Sequence, residues 1–187
     1  MKIGICGGTF DPFHRGHLQP VLAVRGFLRW DRVIYVPAWV QPFKQDRESA
    51  TGYHRYAMAV LATEEHEGLF VSPRELERAA VSYTVDTLEE VRAELPDATI
   101  DWIIGEDSVA ALLQWKSIGR IFELANFAVL TRNEDDAPAP SRPEPSERRH
   151  VMPGELAGRV MKADERSTHG AIVFAENFTP RSPHRRP

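Results

Sequence analysis

Short apolar runs alternate along the chain with longer segments in which apolar residues recur at helical spacing. The short runs predict strands at 2–6, 33–36, 99–104, 127–131 and 171–174. The helical spacing predicts helices at 17–29, 53–63, 84–95, 107–113, 119–125 and 155–162. Strands and helices in this order predict an α/β protein with a Rossmann-like, doubly wound parallel sheet and helices on both faces.

The size and composition are typical of one globular domain covering residues 1–187. The chain has 187 residues, of which 42% are hydrophobic and 27% charged. Residues 133–150 carry four prolines among charges and serines. This composition cannot pack a core, so a mobile loop is predicted there.

Charge and cysteine usage exclude several classes of protein. The net charge of −4 argues against a dedicated nucleic-acid binder. No run approaches the about 20 apolar residues that a spanning helix needs, which predicts a protein that is neither membrane-bound nor exported. The single cysteine, Cys6, cannot form an internal disulfide, so a cytoplasmic location is expected. The choice between a monomer and a homo-oligomer stays open.

The candidate chemistry lies between the first strand and its helix, where residues 7–17 read GGTFDPFHRGH. Glycines allow backbone N–H groups to approach a phosphate, and the helix start favours an anion. His14 and His17 are three residues apart, so both imidazoles can face the same anion. Two alternatives are a simple turn with solvent-facing histidines and a zinc site, although no third and fourth ligands are evident.

The whole string resembles the signature of the nucleotidylyltransferase superfamily, whose Gly-Gly-Thr-Phe-Asp-Pro-x-His-x-Gly-His motif binds a nucleoside triphosphate. The resemblance implies that ATP is bound by Gly8, Thr9, Phe10, His14 and His17. It assigns a catalytic role to both histidines, with His17 stabilising the α-phosphate during transfer.

Four downstream features are similar to bacterial nicotinate-nucleotide adenylyltransferases: QPFK at 41–44, SYTVDTL at 82–88, IIGEDS at 103–108, and Trp115. The resemblance implies a catalytic Lys44 near the phosphates, ATP contacts from Gly105 and Asp107, and nicotinate-nucleotide contacts from Tyr83, Thr84 and Trp115. Taken singly, each feature has another interpretation. Thr84 and Asp107 are suited to helix capping, Trp115 to packing, and Lys44 to a solvated surface.

The implied reaction transfers the adenylyl group of ATP to nicotinate mononucleotide and gives deamido-NAD and pyrophosphate. Mg²⁺ would enter with ATP and bridge its phosphates without a dedicated protein site, and Asp11 would be a structural or water-mediated neighbour. The alternatives are another acceptor, namely nicotinamide mononucleotide or phosphopantetheine, and a non-catalytic nucleotide-binding protein. The sequence from about residue 175 departs from the family's Ile-Ser-x-Thr-x-x-Arg motif, so weaker triphosphate binding is expected at that end.

Overall fold

The computed structural model describes residues 1–42, 49–131, 156, 158–160 and 169–176. In these ranges the strands are Lys2–Gly8 (β1), Arg32–Pro37 (β2), Leu69–Val71 (β3), Thr99–Gly105 (β4), Asn126–Thr131 (β5) and Ile172–Glu176 (β6). The α-helices are Arg15–Leu28 (α1), Gly52–Thr63 (α2), Arg74–Arg78 (α3), Thr84–Glu94 (α4) and Ile118–Leu124 (α5). A 3₁₀ helix, Glu106–Gln114, lies between β4 and α5.

The six strands form one parallel sheet in the order β3-β2-β1-β4-β5-β6. The chain runs outward from β1 to β3, returns to the centre at β4 and runs outward again to β6. The strand order therefore reverses between β1 and β4, which is the arrangement of a doubly wound Rossmann-like sheet. The predicted fold class is confirmed.

Helices cover both faces of the sheet, as the alternation along β4 shows. Ile100, Trp102 and Ile104 pack in one core cluster with apolar residues of α4, α5 and the 3₁₀ helix. Ile103 points to the other face, into a second cluster that contains residues of α1 and α2. Successive side chains of a strand point to opposite faces, so a strand buried on both sides reads as a continuous apolar run.

A buried polar network links the segment between α1 and β2 to β4, β5 and the residue before β6. The indole Nε1–H of Trp30 donates to Asp101 Oδ2 at 2.6 Å, and the Asn126 side-chain amide donates to Asp101 Oδ1 at 3.0 Å. The backbone N–H of Ala171 in turn donates to Asn126 Oδ1 at 3.0 Å. The buried side chains of Trp30, Asp101 and Asn126 thus all have partners, as burial requires.

The structure also corrects the element prediction. Strand β3 and helix α3 were not predicted, because three and five residues are too few to show a hydrophobic period. The predicted helix at 107–113 is a 3₁₀ helix. The helix predicted at 155–162 is only partly present, because Leu156 is helical but a turn follows at 158–159 and Val160 forms a parallel bridge with Ile172. Residues 155, 157, 161 and 162 of that prediction lie outside the described residues.

The loop predicted at 133–150 and the atypical tail from 177 onward lie outside the described residues. Residues 175–176, where the sequence begins to depart from the family pattern, belong to β6. In the described part of the chain, none of the helices has the length and apolar character needed to cross a membrane.

Candidate active site

The predicted ATP-binding residues meet at the carboxyl edge of the central strands. Strand β1 ends at Gly8 and strand β4 ends at Gly105, on the two sides of the point where strand order reverses. The backbone N–H of Ala38, just after β2, donates to the Gly8 carbonyl at 2.8 Å and closes one side of the crevice. Open α/β sheets bind their ligands in this position.

His14 and His17 cap the first turn of α1 reciprocally. His14 Nδ1 accepts a hydrogen bond from the backbone N–H of Gly16 at 3.1 Å, and His17 Nδ1 accepts one from the backbone N–H of His14 at 3.2 Å. The two rings stack with their centroids 3.9 Å apart. Because His14 is the N-cap, α1 begins at Arg15 and not at the predicted His17.

These hydrogen bonds decide the tautomer of each imidazole. A ring nitrogen that accepts a hydrogen bond carries no proton, so each neutral ring holds its proton on Nε2. His14 is exposed and His17 is half-buried, both at the positive end of a 14-residue helix. Two neighbouring Nε2–H donors at a helix start suit the oxygens of a phosphate. The pairing of both histidines on one anion is therefore sterically and chemically consistent with the fold.

The buried ring of Phe10 packs against His17. Its side chain is 3% exposed, and its ring contacts those of Phe13, His17 and Tyr35. Its backbone φ of 53° lies in the left-handed region, which costs energy for a residue other than glycine. Such backbone strain often occurs at ligand-binding loops. The predicted nucleotide contact of Phe10 is thus restricted to its backbone.

Thr9 and Gly8 line the turn directly before Phe10. In the part of the chain that the structure describes, the Thr9 hydroxyl is buried and has no hydrogen-bond partner. Buried hydroxyls normally have one, so this group calls for a ligand or water. A Cβ on Gly8 would lie 2.8 Å from the Phe10 ring, which excludes any larger residue without movement of that ring.

Gly105 and Asp107 lie across the crevice from this loop. Gly105 is the N-cap of the 3₁₀ helix, and no side-chain hydrogen bond caps it. The interpretation of Asp107 as the cap is therefore wrong. A Cβ on Gly105 would lie 2.5 Å from Asp107 Oδ1, so the carboxylate folds back over the glycine. Both residues are exposed at the end of β4, where the predicted ribose contact would form.

Arg55 of α2 holds the nucleotide loop against the segment after β2. Its guanidinium is buried, with the residue 2% exposed. Nη1 donates to the Thr9 carbonyl, Nη2 donates to the Ala38 carbonyl at 2.7 Å, and Nε donates to the Ala50 carbonyl at 2.9 Å. One side chain thus satisfies backbone carbonyls of three separate segments.

Asp11 has a structural role in the same loop. Its Oδ2 accepts a hydrogen bond from the backbone N–H of Ala50 at 2.9 Å. A hydrogen bond from Ser49, followed by the one from Ala50 and the charge of Arg55, lowers the pKa of Asp11. The carboxylate therefore stays ionised and fixes the loop, in line with the structural alternative for this residue.

Tyr83, Thr84 and Trp115 lie in two adjoining segments. Lys116, next to Trp115, holds its ammonium 4.2 Å from the Tyr83 ring centroid and 3.2 Å from an Asp86 carboxylate oxygen. Tyr83 is the N-cap of α4, so the interpretation of Thr84 as the cap is wrong. No side-chain hydrogen bond caps α4 at Tyr83. The first N–H groups of α4 are therefore suited to an anionic group.

The segment after β2 is also joined to the start of α4. The backbone N–H of Trp39 donates to Ser82 Oγ at 2.9 Å. The backbone N–H of Ser82 donates to the Val40 carbonyl at 2.8 Å, next to the parallel bridge between Val40 and Val81. Arg55 donates both to the Ala38 carbonyl of this segment and to the Thr9 carbonyl of the nucleotide loop. The segment after β2 therefore links the nucleotide loop to residues 82–84.

Sequence analysis missed some of these contributors. Arg55 was detectable as a charge on the buried stripe of an amphipathic helix, alongside Ala59 and Thr63. Nothing in the local sequence marks Trp39 as a connecting residue. The predicted catalytic Lys44 lies outside the described residues. Within the described ranges, no group of three or more His, Cys, Asp or Glu side chains is arranged to hold a metal ion.

Comparison with known proteins agrees with this architecture. A family model described as cytidylyltransferase-like matches residues 5–177, so the chain belongs to that family. A probable nicotinate-nucleotide adenylyltransferase of Clavibacter michiganensis is 40% identical over 136 residues, which are 73% of this chain and 67% of the relative. One of the same name from Chromobacterium violaceum is 43% identical over 144 residues, or 76% and 68% of the two chains. The resemblance to nicotinate-nucleotide adenylyltransferases is confirmed.

The fold has counterparts among solved structures. Nicotinic acid mononucleotide adenylyltransferase of Plasmodium falciparum, complexed with APC, superposes with a TM-score of 0.63 over 97% of this chain and 76% of that one, at 14% identity. The same enzyme complexed with NaAD gives a TM-score of 0.63 at 15% identity. At this identity the likeness establishes the shared fold.

Proposed function

We propose that this protein transfers the adenylyl group of ATP to nicotinate mononucleotide and releases pyrophosphate, giving deamido-NAD for NAD biosynthesis. The observation that carries the proposal is the reciprocal histidine cap at the switch point of the sheet, with Nε2–H donors at the start of α1. The names of the relatives support the choice of acceptor.

The chain's own groups account for catalysis by positioning and charge stabilisation. A phosphate oxygen of the acceptor forms a bond to the α-phosphorus of ATP, and the bond from that phosphorus to the pyrophosphate oxygen breaks. The developing negative charge falls on oxygens that His14 and His17 would contact as hydrogen-bond donors. No protein nucleophile is needed, and Lys44 is proposed as a further cation for the leaving pyrophosphate.

ATP would enter as its Mg²⁺ complex, so the metal belongs to the substrate. Mg²⁺ keeps several water ligands and binds mainly to phosphate oxygens in such reactions. The orphaned Thr9 hydroxyl and the start of α1 supply donors for the same phosphates. Gly105 and Asp107 are assigned to the ribose of ATP, across the crevice.

The acceptor is assigned to the segments around Tyr83, Thr84 and Trp115. Trp115 is half-buried and its indole packs on Phe127 with the ring centroids 5.8 Å apart, so one part of it is fixed by the core. The N–H groups at the start of α4 favour a carboxylate over a neutral amide. The acid form of the mononucleotide is therefore the preferred acceptor.

The decisive experiment compares pyrophosphate release from ATP with nicotinate mononucleotide, nicotinamide mononucleotide and phosphopantetheine. Nicotinate mononucleotide is expected to react at least about tenfold faster in kcat/KM than the amide. Equal rates with acid and amide would remove the assignment of the acceptor pocket. ATP binding without pyrophosphate release with any of the three would instead identify a non-catalytic nucleotide-binding protein.

A further inference from the structure

Glu75 of α3 is a buried carboxylate directly behind the start of α4. The residue is 3% exposed. It accepts a hydrogen bond from the Thr87 hydroxyl at 2.6 Å. A side-chain hydrogen bond from Ser82 is among the interactions that oppose the rise in the pKa of Glu75. Ser82 and Thr87 stand on either side of Tyr83 and Thr84 in the sequence. A single carboxylate thus fixes both ends of the segment assigned to the acceptor.

The same carboxylate reaches further through Ser82. Ser82 Oγ accepts the backbone N–H of Trp39 at 2.9 Å, which leaves its proton for the side-chain hydrogen bond that lowers the pKa of Glu75. A hydroxyl has one proton, so the acceptor at Glu75 decides how Ser82 is oriented toward Trp39. Glu75 therefore orients the contact between the start of α4 and the segment after β2.

The charged group that pairs with Glu75 is Arg78 of the same helix, and this ion pair is long. Arg78 Nη2 is 4.0 Å from Glu75 Oε1 and donates to the Thr87 hydroxyl at 3.1 Å, while Nη1 pairs with Glu90 at 2.5 Å. Burial raises the pKa of Glu75, and Glu90 adds to this, whereas Thr87, Ser82 and Arg78 oppose it. A carboxylate buried in this way destabilises the folded state, so stability does not account for its presence.

We propose that Glu75 is a positioning residue for the acceptor nucleotide, which it serves by holding the Ser82 and Thr87 hydroxyls and thereby the backbone of Tyr83 and Thr84. The inference rests on the proposed function. The proposed role predicts an effect on binding of the acceptor and not on binding of ATP. Glu75 contacts the acceptor segment, and among the described residues none of its hydrogen bonds goes to the nucleotide loop.

The test measures kcat and KM for both substrates in wild type, Glu75→Gln and Glu75→Ala. Alanine removes both acceptors and leaves two buried hydroxyls unpaired, whereas glutamine keeps the size and one acceptor oxygen. KM for nicotinate mononucleotide is expected to rise about tenfold in Glu75→Ala and less in Glu75→Gln, with KM for ATP within about twofold of wild type. The matched control is Glu77→Gln, an exposed residue of the same helix, which should leave both constants unchanged.

A double-mutant cycle checks that Glu75 acts through Ser82. Ser82→Ala alone should raise KM for the acceptor. The fold-increase in the variant that carries both Ser82→Ala and Glu75→Gln should be smaller than the product of the two single fold-increases. Multiplicative effects would contradict this connection. Urea unfolding of every variant establishes that it is folded under assay conditions, and Glu75→Gln supplies the kinetic result where Glu75→Ala does not fold.

The outcomes separate the two proposals. Wild-type protein that turns over nicotinate mononucleotide, with Glu75 variants that change neither KM or change both equally, overturns the role of Glu75 alone. Wild-type protein that releases no pyrophosphate with this acceptor overturns the proposed function, and the role of Glu75 with it.

Discussion

The ring of Phe10 meets the imidazole of His17 edge to face, with the centroids 5.1 Å apart and the planes at 86°. This contact fixes one side of the imidazole ring, while the backbone N–H of His14 donates a hydrogen bond to its Nδ1. The proton on Nε2 is thus kept in one position, which is what a preorganised donor for a phosphate requires.

Two substitutions at His17 separate capping from catalysis. Asparagine can accept the N–H of His14 through Oδ1, but its shorter side chain does not place Nδ2 at the position of Nε2, whereas alanine lacks both groups. Pyrophosphate release should fall about 100-fold or more in both variants. Only His17→Ala should also lose stability, by about 1 kcal/mol in urea unfolding. The control is His54→Ala on the exposed face of α2, and full turnover in His17→Asn would refute the assigned role.

Replacement of Arg55 by lysine keeps the positive charge but removes the branched guanidinium with its several donors. A single ammonium cannot reach the carbonyls of Thr9, Ala38 and Ala50 together. Arg55→Lys should lose about 2 kcal/mol of unfolding free energy, since buried carbonyls are left without donors. KM for ATP should rise as the nucleotide loop loosens. Kinetics and unfolding that match wild type would show that the charge alone is sufficient.

The raised pKa of Glu75 makes stability depend on pH. Stability from this group is fully present below the unfolded pKa of about 4.3 and is lost as pH rises through the raised folded pKa. The unfolding free energy of wild type relative to Glu75→Gln should therefore fall as the pH rises over this interval and then level off. Urea titrations of both proteins across a pH series measure the difference. A constant difference would mean that Glu75 titrates as it does in the unfolded chain.

Asp101 should be among the more sensitive positions for stability. Asp101→Ala leaves the Trp30 indole and the Asn126 amide without their acceptors in a buried environment. The expected loss is about 2–4 kcal/mol in urea unfolding. The exposed carboxylate of Asp97 provides the comparison, because Asp97→Ala should change stability by about 0.5 kcal/mol or less. Similar losses at both positions would indicate that the network contributes little.

Cys6 should be a slow thiol in the native protein. Burial raises its pKa to about 12, so the thiolate that reacts is scarce at neutral pH. Reaction with Ellman's reagent at pH 8 should be at least about tenfold slower in the native state than in guanidinium chloride. Equal rates in the two states would show that the thiol is accessible and readily ionised.

Some parts of this molecule were accessible from local sequence and others were not. The β1 and β4 strands are short and mostly apolar, and the glycine and histidine loop follows β1 directly, so both the fold class and the nucleotide edge could be predicted. The short β3 and α3 carry no period of their own, and their formation depends on packing against β2 and α4.

The supports of the site were missed for a related reason. Arg55 and the Thr9 carbonyl it binds are 46 positions apart in the chain, and Glu75 is 12 positions from Thr87. Neither pairing leaves a local pattern in composition or spacing. The residues that face the substrates lie in recognisable motifs, whereas the residues that hold them are defined only by the folded neighbourhood.

The hydrogen bond between Trp39 and Ser82 spans 43 positions of the chain. Bringing such distant residues together carries an entropy cost that only the intervening β2, α2, β3 and α3 can offset by their own packing. A fragment that ends after α1 would keep the whole glycine and histidine loop but not Arg55 of α2, which binds the Thr9 carbonyl. Binding of both substrates is therefore a property of the assembled sheet and its helices and not of the motif alone.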